Sequence, residues 1–411
     1  MNGGSQLDNL LLRALRTMVG RAPVRLAIGA ASEEVPGTSL SMPTIRIDDR
    51  ATLFMLLANP EVGFGDAYSE GKIEIEGDLA RMLETIYLPP KAATWHRTLL
   101  SRVTAWTHLN TLRGSKKNIH HHYDLGNDFY KLWLDNEMAY TCAYFPNGDV
   151  TLDDAQRAKF DHVCRKMWLH PGETVVEAGC GWGGLALHMA KHYGVRVRAF
   201  NISHEQISYA RDRAKWDGLA GRVEFVEDDY RNISGKSDVF CSVGMLEHVG
   251  AEHYRELGRV IHRVIGNTGR GLLHFIGRNY DRPLSVWIRK RIFPGAYPPT
   301  LKKVMNIFEP QNYAVLDIEN LRFHYAKTLE HWLERFEGSY DSIVRMYDER
   351  FARMWRLYLA GSIAAFRVGT LQLFQVVFAG SECKAIPWTR AYLYDQTLQR
   401  SDEQPWIRAI S

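Results

Sequence analysis

Residues 174–190 read TVVEAGCGWGGLALHMA. The β-branched start predicts a strand, TVVEAG (174–179), and the leucine- and alanine-rich end predicts a helix. Between them, Gly179 and Gly181 let the backbone turn tightly and approach a ligand where a Cβ would clash. Dinucleotide enzymes and plain tight turns share such glycine patterns, so the surroundings decide what this one holds.

Downstream, strand patterns recur at VRVRAFN (195–201), RVEFVED (222–228), SDVFCSVGM (237–245) and GLLHFIG (271–277). LALHMAKHY, EQISYARDRAKW and HYRELGRVIHRVI lie between them, with apolar residues three to four apart. Such alternation predicts an α/β fold, a doubly wound sheet with helices on both faces, whose ligands bind beyond the carboxyl ends of the strands. Upstream, residues 1–90 carry shorter strand patterns, PVRLAIGA, PTIRIDD and KIEIEGDL, with a helical ATLFMLLANP and a turn-like GDAYSEGK. They predict a small α+β N-terminal domain. YLPPK breaks the chain, and 91–117 reads as an amphipathic helical linker to a domain over 118–395, with a tail at 396–411.

Two features narrow the ligand of the glycine loop. Glu177 sits two residues before Gly179, where a carboxylate can face a cationic amino-acid group, and Asp228 and Asp229 end the third strand within reach of an adenine amine. An ammonium, a ribose and an adenine fit S-adenosylmethionine better than NAD. Where nucleoside-binding folds commonly place an acid for the ribose, this chain has Asn201, which can still donate and accept hydrogen bonds. The fourth and fifth strands end in SVGMLEHVG (242–250) and LLHFIG (272–277), bringing Glu247 and His274 to the same crevice as candidate acid and base.

Composition sets the outer bounds. The 411 residues are 45% hydrophobic and 24% charged, the balance of an ordinary globular protein, and a net charge of +4 requires no nucleic-acid partner. Five cysteines without a CxxC pair favour free thiols in a reducing compartment. The first twenty residues predict an amphipathic helix rather than a signal peptide. YLAGSIAAFRVGTLQLFQVVFAG (358–380) is long enough to raise a membrane span, but Arg367, Gln372 and Gln375 at helical spacing predict a buried core helix with one wet stripe.

Taken with HHHYDLGNDFYKLWLDNEMAYTCAYF (120–145), the IFPGAYPP run and LRFHYAKTL, these motifs resemble the cyclopropane fatty acid synthases over about residues 115–395. The resemblance implies a Rossmann-like S-adenosylmethionine-dependent methyltransferase that adds a methylene across a cis double bond of a phospholipid acyl chain. It also implies bicarbonate as base, held by Cys142, Glu247, His274, Ile276 and Tyr325, with the Gly244 backbone beside it. Cofactor contacts would fall on Tyr140, Thr141, Gly179, Gly181, Asn201, Ile202, Gln206, Asp228 and Asp229. Asn201 stands where the family more often has threonine, and Ser362 where many members carry a cysteine.

The aromatic stretch then acquires a purpose. Attack of an alkene on a sulfonium methyl leaves a cationic carbon, which ring faces stabilise without bonding to it. Tyr123, Phe129, Tyr130, Tyr140, Tyr144 and Phe145 are candidates to line that pocket and exclude water. His120, His121 and His122 have no second cluster at ligand spacing, so no metal is expected. NYDRPLSVWIRKRIFPGAYPPTLKKV (279–304) interleaves basic and aromatic residues in a manner suited to an anionic lipid surface. The expectation is a cytoplasmic enzyme, peripheral on the inner face of the membrane and homodimeric by family, with residues 1–90 similar to the lipid-handling N-terminal part of bacterial members. A related methyl transfer with a branched, methylene or furan-precursor product is the alternative.

Overall fold

The computed structural model describes residues 5–20, 22–34, 42–87 and 125–394. The linker expected at 91–117, the tail at 396–411, His120–His122 and Tyr123 lie outside the described residues.

A four-stranded sheet forms first: β1 (Arg25–Ile28), β2 (Ala31–Glu33), β3 (Thr44–Ile47) and β4 (Ile73–Glu76), in the order β2-β1-β3-β4. The helix Gln6–Val19 buries Leu11, Leu12 and Leu15 in the core beside it, and ATLFMLLANP forms the helix Arg50–Ala58. GDAYSEGK is not a simple turn. Asn59 caps a helix Pro60–Ser69, with Pro60 at its favoured first position, so most of that stretch is helical.

The larger sheet has seven strands: β5 (Thr174–Ala178), β6 (Arg196–Asn201), β7 (Val223–Glu227), β8 (Val239–Val243), β9 (Arg270–Gly277), β10 (Ala314–Asn320) and β11 (Gln372–Ala379). Their order is β10-β11-β9-β8-β5-β6-β7, with β5 to β9 parallel and β11 antiparallel to both its neighbours. Side chains alternate between two cores: Val175, Cys241 and Leu272 face one side, Val176, Phe240 and Leu273 the other. Helices cover both faces, as expected of a Rossmann-like methyltransferase sheet.

The stretch 358–380 is not one helix. A helix, Glu349–Arg367, ends before Gly369, whose φ of +76° suits a chain reversal, and β11 follows with all eight residues buried. Inserted between β9 and β10, β11 is covered on both faces and therefore reads as a continuous apolar run, which sequence periodicity cannot tell from a buried helix. No helix among the described residues is long and apolar enough to cross a membrane.

The two sheets are joined through specific contacts. Arg353, 8% exposed, donates to the carbonyls of Tyr68 and Ile73 at 2.7 and 2.8 Å. Trp287 seats against Gly65, where a Cβ would lie 2.3 Å from its Nε1. Arg291 makes a two-pronged ion pair with Asp66, its Nε and Nη2 donating at 3.0 and 2.7 Å. Part of the basic segment read as lipid-facing thus fastens the N-terminal sheet.

Candidate active site

Parallel strands deliver their carboxyl ends to one edge, and the candidate residues gather there. The first is the loop after β5. Gly179 and Gly181 have φ of +82° and +55°, a region that L-residues with a Cβ avoid. A Cβ on Gly181 would meet nothing within 4 Å, so open space lies beside it, whereas one on Gly179 would come 2.9 Å from the Met245 Cβ.

Glu177 is 2% exposed on β5, and burial pushes its carboxyl up to about 7 against the pull of Lys159. Its Oε2 has no hydrogen-bond partner. An orphaned buried carboxylate oxygen beside a glycine loop fits a ligand carrying an ammonium group.

Asn201 is engaged with protein. Its Nδ2 donates to Gln206 Oε1 at 2.6 Å, and its Oδ1 accepts from the Ile202 backbone N–H at 2.8 Å, tying three of the expected cofactor residues into one turn. Asp228 accepts from the Asp229 N–H and from Asn232, and Asp229 caps the turn Tyr230–Asn232 while pairing with Arg231. These side chains shape the end of β6 and β7.

At the other strand ends, Gly244 lies between two candidates. Its N–H donates to the His274 carbonyl at 2.8 Å, and a Cβ on it would come 3.0 Å from Thr141 Cγ2. The Glu247 carboxylate accepts from the Ile276 N–H through Oε1, while Oε2 is buried without a partner. Burial raises this carboxyl to about 7. His274 is 2% exposed, and burial, then Lys159, drives its basicity well down, leaving a neutral ring.

Cys142, fully buried and with its thiol pushed up by burial, donates to the Ala143 carbonyl and lies 4.0 Å from the Leu321 carbonyl. The N–H of Tyr325 donates to that same carbonyl at 3.1 Å. Gly244 is thus tied to the His274 carbonyl, and Cys142 and the Tyr325 N–H meet at the Leu321 carbonyl.

The aromatic lining differs from expectation. Phe129 and Tyr130 are fully buried in a ring cluster with Trp133 and Trp355, and Tyr144 stacks between His162 and His324 at 4.2 and 4.9 Å. Phe145 packs on His331. The rings around Tyr325 come instead from the C-terminal helices: Phe366 at 4.6 Å and Trp332 at 6.0 Å, the latter also against Tyr140. The Tyr140 hydroxyl bonds that of Tyr358 at 2.8 Å.

Sequence reasoning missed a polar stripe on the helix Leu152–Lys166. Gln156, Lys159, His162 and Lys166 are each at most 2% exposed and face the sheet. Gln156 Nε2 donates to the carbonyls of Ala139 and Thr141, and Lys159 Nζ to Thr141 Oγ1 at 2.8 Å. Desolvation lowers Lys159 to about 8. Polar residues three or four apart were the available signal, but such a stripe normally marks the wet face of a helix.

A nucleoside-sulfonium cradle at the switch point of such a sheet defines an S-adenosylmethionine-dependent methyltransferase. The chain belongs to the mycolic acid cyclopropane synthetase family, whose model matches residues 110–376. A probable fatty acid methyltransferase of Pseudomonas putida is 35% identical over 383 residues, 90% of this chain and 96% of that protein. The cyclopropane-fatty-acyl-phospholipid synthase of Escherichia coli K12 is 41% identical over 259 residues, 63% of this chain and 66% of its own. Mycolic acid cyclopropane synthase CmaA1, solved with SAH and CTAB, superposes with a TM-score of 0.61 at 28% identity, covering 64% of this chain and 97% of that one. The activity is S-adenosylmethionine-dependent cyclopropanation or methylation of lipid acyl chains.

Proposed function

We propose that the enzyme cyclopropanates cis-unsaturated acyl chains of phospholipids, with bicarbonate as base. The observation that carries the reading is the pair of orphaned buried atoms, Glu247 Oε2 and His274 Nε2, at adjacent strand ends. Burial keeps the Cys142 thiol protonated, His274 neutral and Glu247 near 7, so the groups around the gap retain protons to offer a small anion. Cys142, Glu247, His274, Tyr325 and the Ile276 backbone would hold it, and bicarbonate would supply the base.

S-adenosylmethionine supplies an electrophilic methyl group. The alkene π pair would bond to that methyl carbon as the carbon–sulfur bond breaks, leaving the neighbouring alkene carbon cationic. Transfer of a proton from the new methyl group to bicarbonate would then let its C–H electrons close the ring. The packed rings of Tyr140, Trp332, Tyr325 and Phe366 would exclude water, which would otherwise trap the cation as an alcohol.

The match to the Pseudomonas putida protein, named a fatty acid methyltransferase and aligned over nearly the whole chain, supports a second reading. Loss of a proton from a neighbouring chain carbon instead would give a methyl-branched alkene, and a 1,2-hydride shift before loss of the methyl proton would give a methylene product. Acting on bilayer lipid, the enzyme would sit at the inner membrane surface, with the exposed Arg282, Lys290 and Lys302 toward anionic headgroups.

Purified enzyme, S-adenosylmethionine and vesicles of cis-unsaturated phospholipid test both readings. Proton NMR of the product should show strongly shielded ring methylene protons and no new olefinic signal. Exomethylene or new olefinic protons would establish the branched reading instead. Turnover should fall on bicarbonate depletion and return on its addition; indifference to bicarbonate would overturn the base.

A further inference from the structure

Gln375 stands directly opposite His274 in the β9–β11 ladder, and Glu319 stands opposite Gln375 in the β10–β11 ladder. Directly opposed side chains share a face of a sheet, so the three form a row across it. Gln375 is 0% exposed, and its Nε2 lies 3.1 Å from His274 Nδ1. On the far side of the row, Glu319 is already taken by His162 Nε2 at 2.7 Å and Lys166 Nζ at 2.5 Å.

The amide turns its Nε2 to the ring and leaves its Oε1 buried without a partner, and an N–H aimed at a ring nitrogen requires a lone pair there. A neutral imidazole carries one lone pair and one N–H, so accepting at Nδ1 places the proton on Nε2. Nε2 is the ring atom that is buried without a protein partner. We infer that Gln375 is a positioning residue: it fixes the Nε2–H tautomer of His274 and so presents an N–H donor to the anion at the catalytic gap. This rests on the bicarbonate reading only for what the donor meets, and not for the tautomer itself.

The neighbours favour the same arrangement. Lys159, Lys166 and His162 act against an imidazolium at this place, and Glu319, the nearby carboxylate, is held by its own two partners. A ring that is kept neutral needs something to choose its tautomer, and the amide is the side chain bonded to it.

Nitrogen-15 NMR of the histidine-labelled full-length protein tests this, with His274→Phe used only to assign the signal. The wild type should show a pyrrole-type Nε2 and a pyridine-type Nδ1. A protonated Nδ1 would overturn the inference without touching the bicarbonate reading. Gln375→Glu puts an acceptor where the amide donor was and should draw the proton to Nδ1. Turnover should then fall by about 100-fold, the scale of a misplaced proton-transfer partner, with S-adenosylmethionine affinity within about twofold of wild type. Full turnover in Gln375→Glu would also overturn it. A wild-type Nε2–H tautomer alongside bicarbonate-independent turnover would sink the base and leave the tautomer assignment standing.

Discussion

Glu247 holds the backbone N–H of Ile276 with one carboxylate oxygen and leaves the other buried without a partner. The residue is therefore half structural anchor and half ligand site, and its two halves respond differently to substitution. Burial holds its carboxyl near 7 in the folded chain, against an ordinary 4.5. Between those values the native state keeps a proton that the unfolded chain has released, so this group costs stability as pH rises through the window. Glu247→Gln keeps the acceptor for Ile276 and removes that cost. It should match wild type in thermal unfolding at pH 5 and exceed it at pH 8, by roughly 3 kcal/mol at 1.36 kcal/mol per pKa unit. Turnover should drop by about 100-fold in the same variant. Equal stability at both pH values would show that Glu247 is not carried as a buried charge.

Lys159 donates to Thr141 and holds the Glu177 carboxyl down against desolvation. In Lys159→Met the Glu177 carboxyl should titrate higher than about 7 and be largely protonated at neutral pH. Calorimetric affinity for S-adenosylmethionine should fall by about 10-fold at pH 7 and partly recover at pH 9, where Glu177 ionises again. An affinity loss that is the same at both pH values would assign Lys159 to packing alone.

Gly181 and Gly179 separate binding from folding. Gly181→Ala places a methyl in open space at the cost of a left-handed backbone, about 1 kcal/mol of stability. Its affinity for S-adenosylmethionine should fall by about 10-fold, and unchanged binding would remove the loop from the cofactor site. Gly179→Val is the poorer probe, because its Cβ would strike Met245 and binding would be lost with the fold.

The basic segment needs two different substitutions. Replacing Arg282, Lys290 and Lys302 with Gln should reduce co-sedimentation with anionic vesicles by about 100-fold, at about 1 kcal/mol per basic residue near such a surface. Unchanged co-sedimentation would leave the segment a solvated face. Arg291→Gln should instead lower the melting temperature slightly, because Arg291 serves Asp66 and a paired surface arginine is worth about 1 kcal/mol or less.

The parallel strands β5 to β9 were legible because β5, β8 and β9 are buried apolar runs that end at glycine, while β6 and β7 are short β-branched and aromatic stretches alternating with charged residues. β10 and β11 were not. In AVLDIEN, Asp317 and Glu319 mask a strand, although both face Lys166 beneath the sheet. Gln372 and Gln375 suggested a wet helical stripe, yet they are buried, and Gln375 is bonded to His274. Sequence spacing reports which residues share a face but not whether water or another side chain meets them. The candidate residues Glu247, His274 and Cys142 could be placed because strand ends and motifs locate them, whereas Lys159 and Gln375 act on them from elements whose pairing is non-local.

The helix Glu349–Arg367 grips the N-terminal sheet through Arg353 and meets the phenol of Tyr140 through Tyr358, five residues later. Both contacts thus sit on one rigid rod, about 7.5 Å apart along its axis. Binding equilibria coupled through such a rod are reciprocal: whatever cofactor occupancy does to the grip on the first sheet, a ligand drawn to that sheet must do, by the same factor, to the cofactor. Any ligand that moves the helix at its Arg353 end would therefore be felt as a changed dissociation constant for the methyl donor.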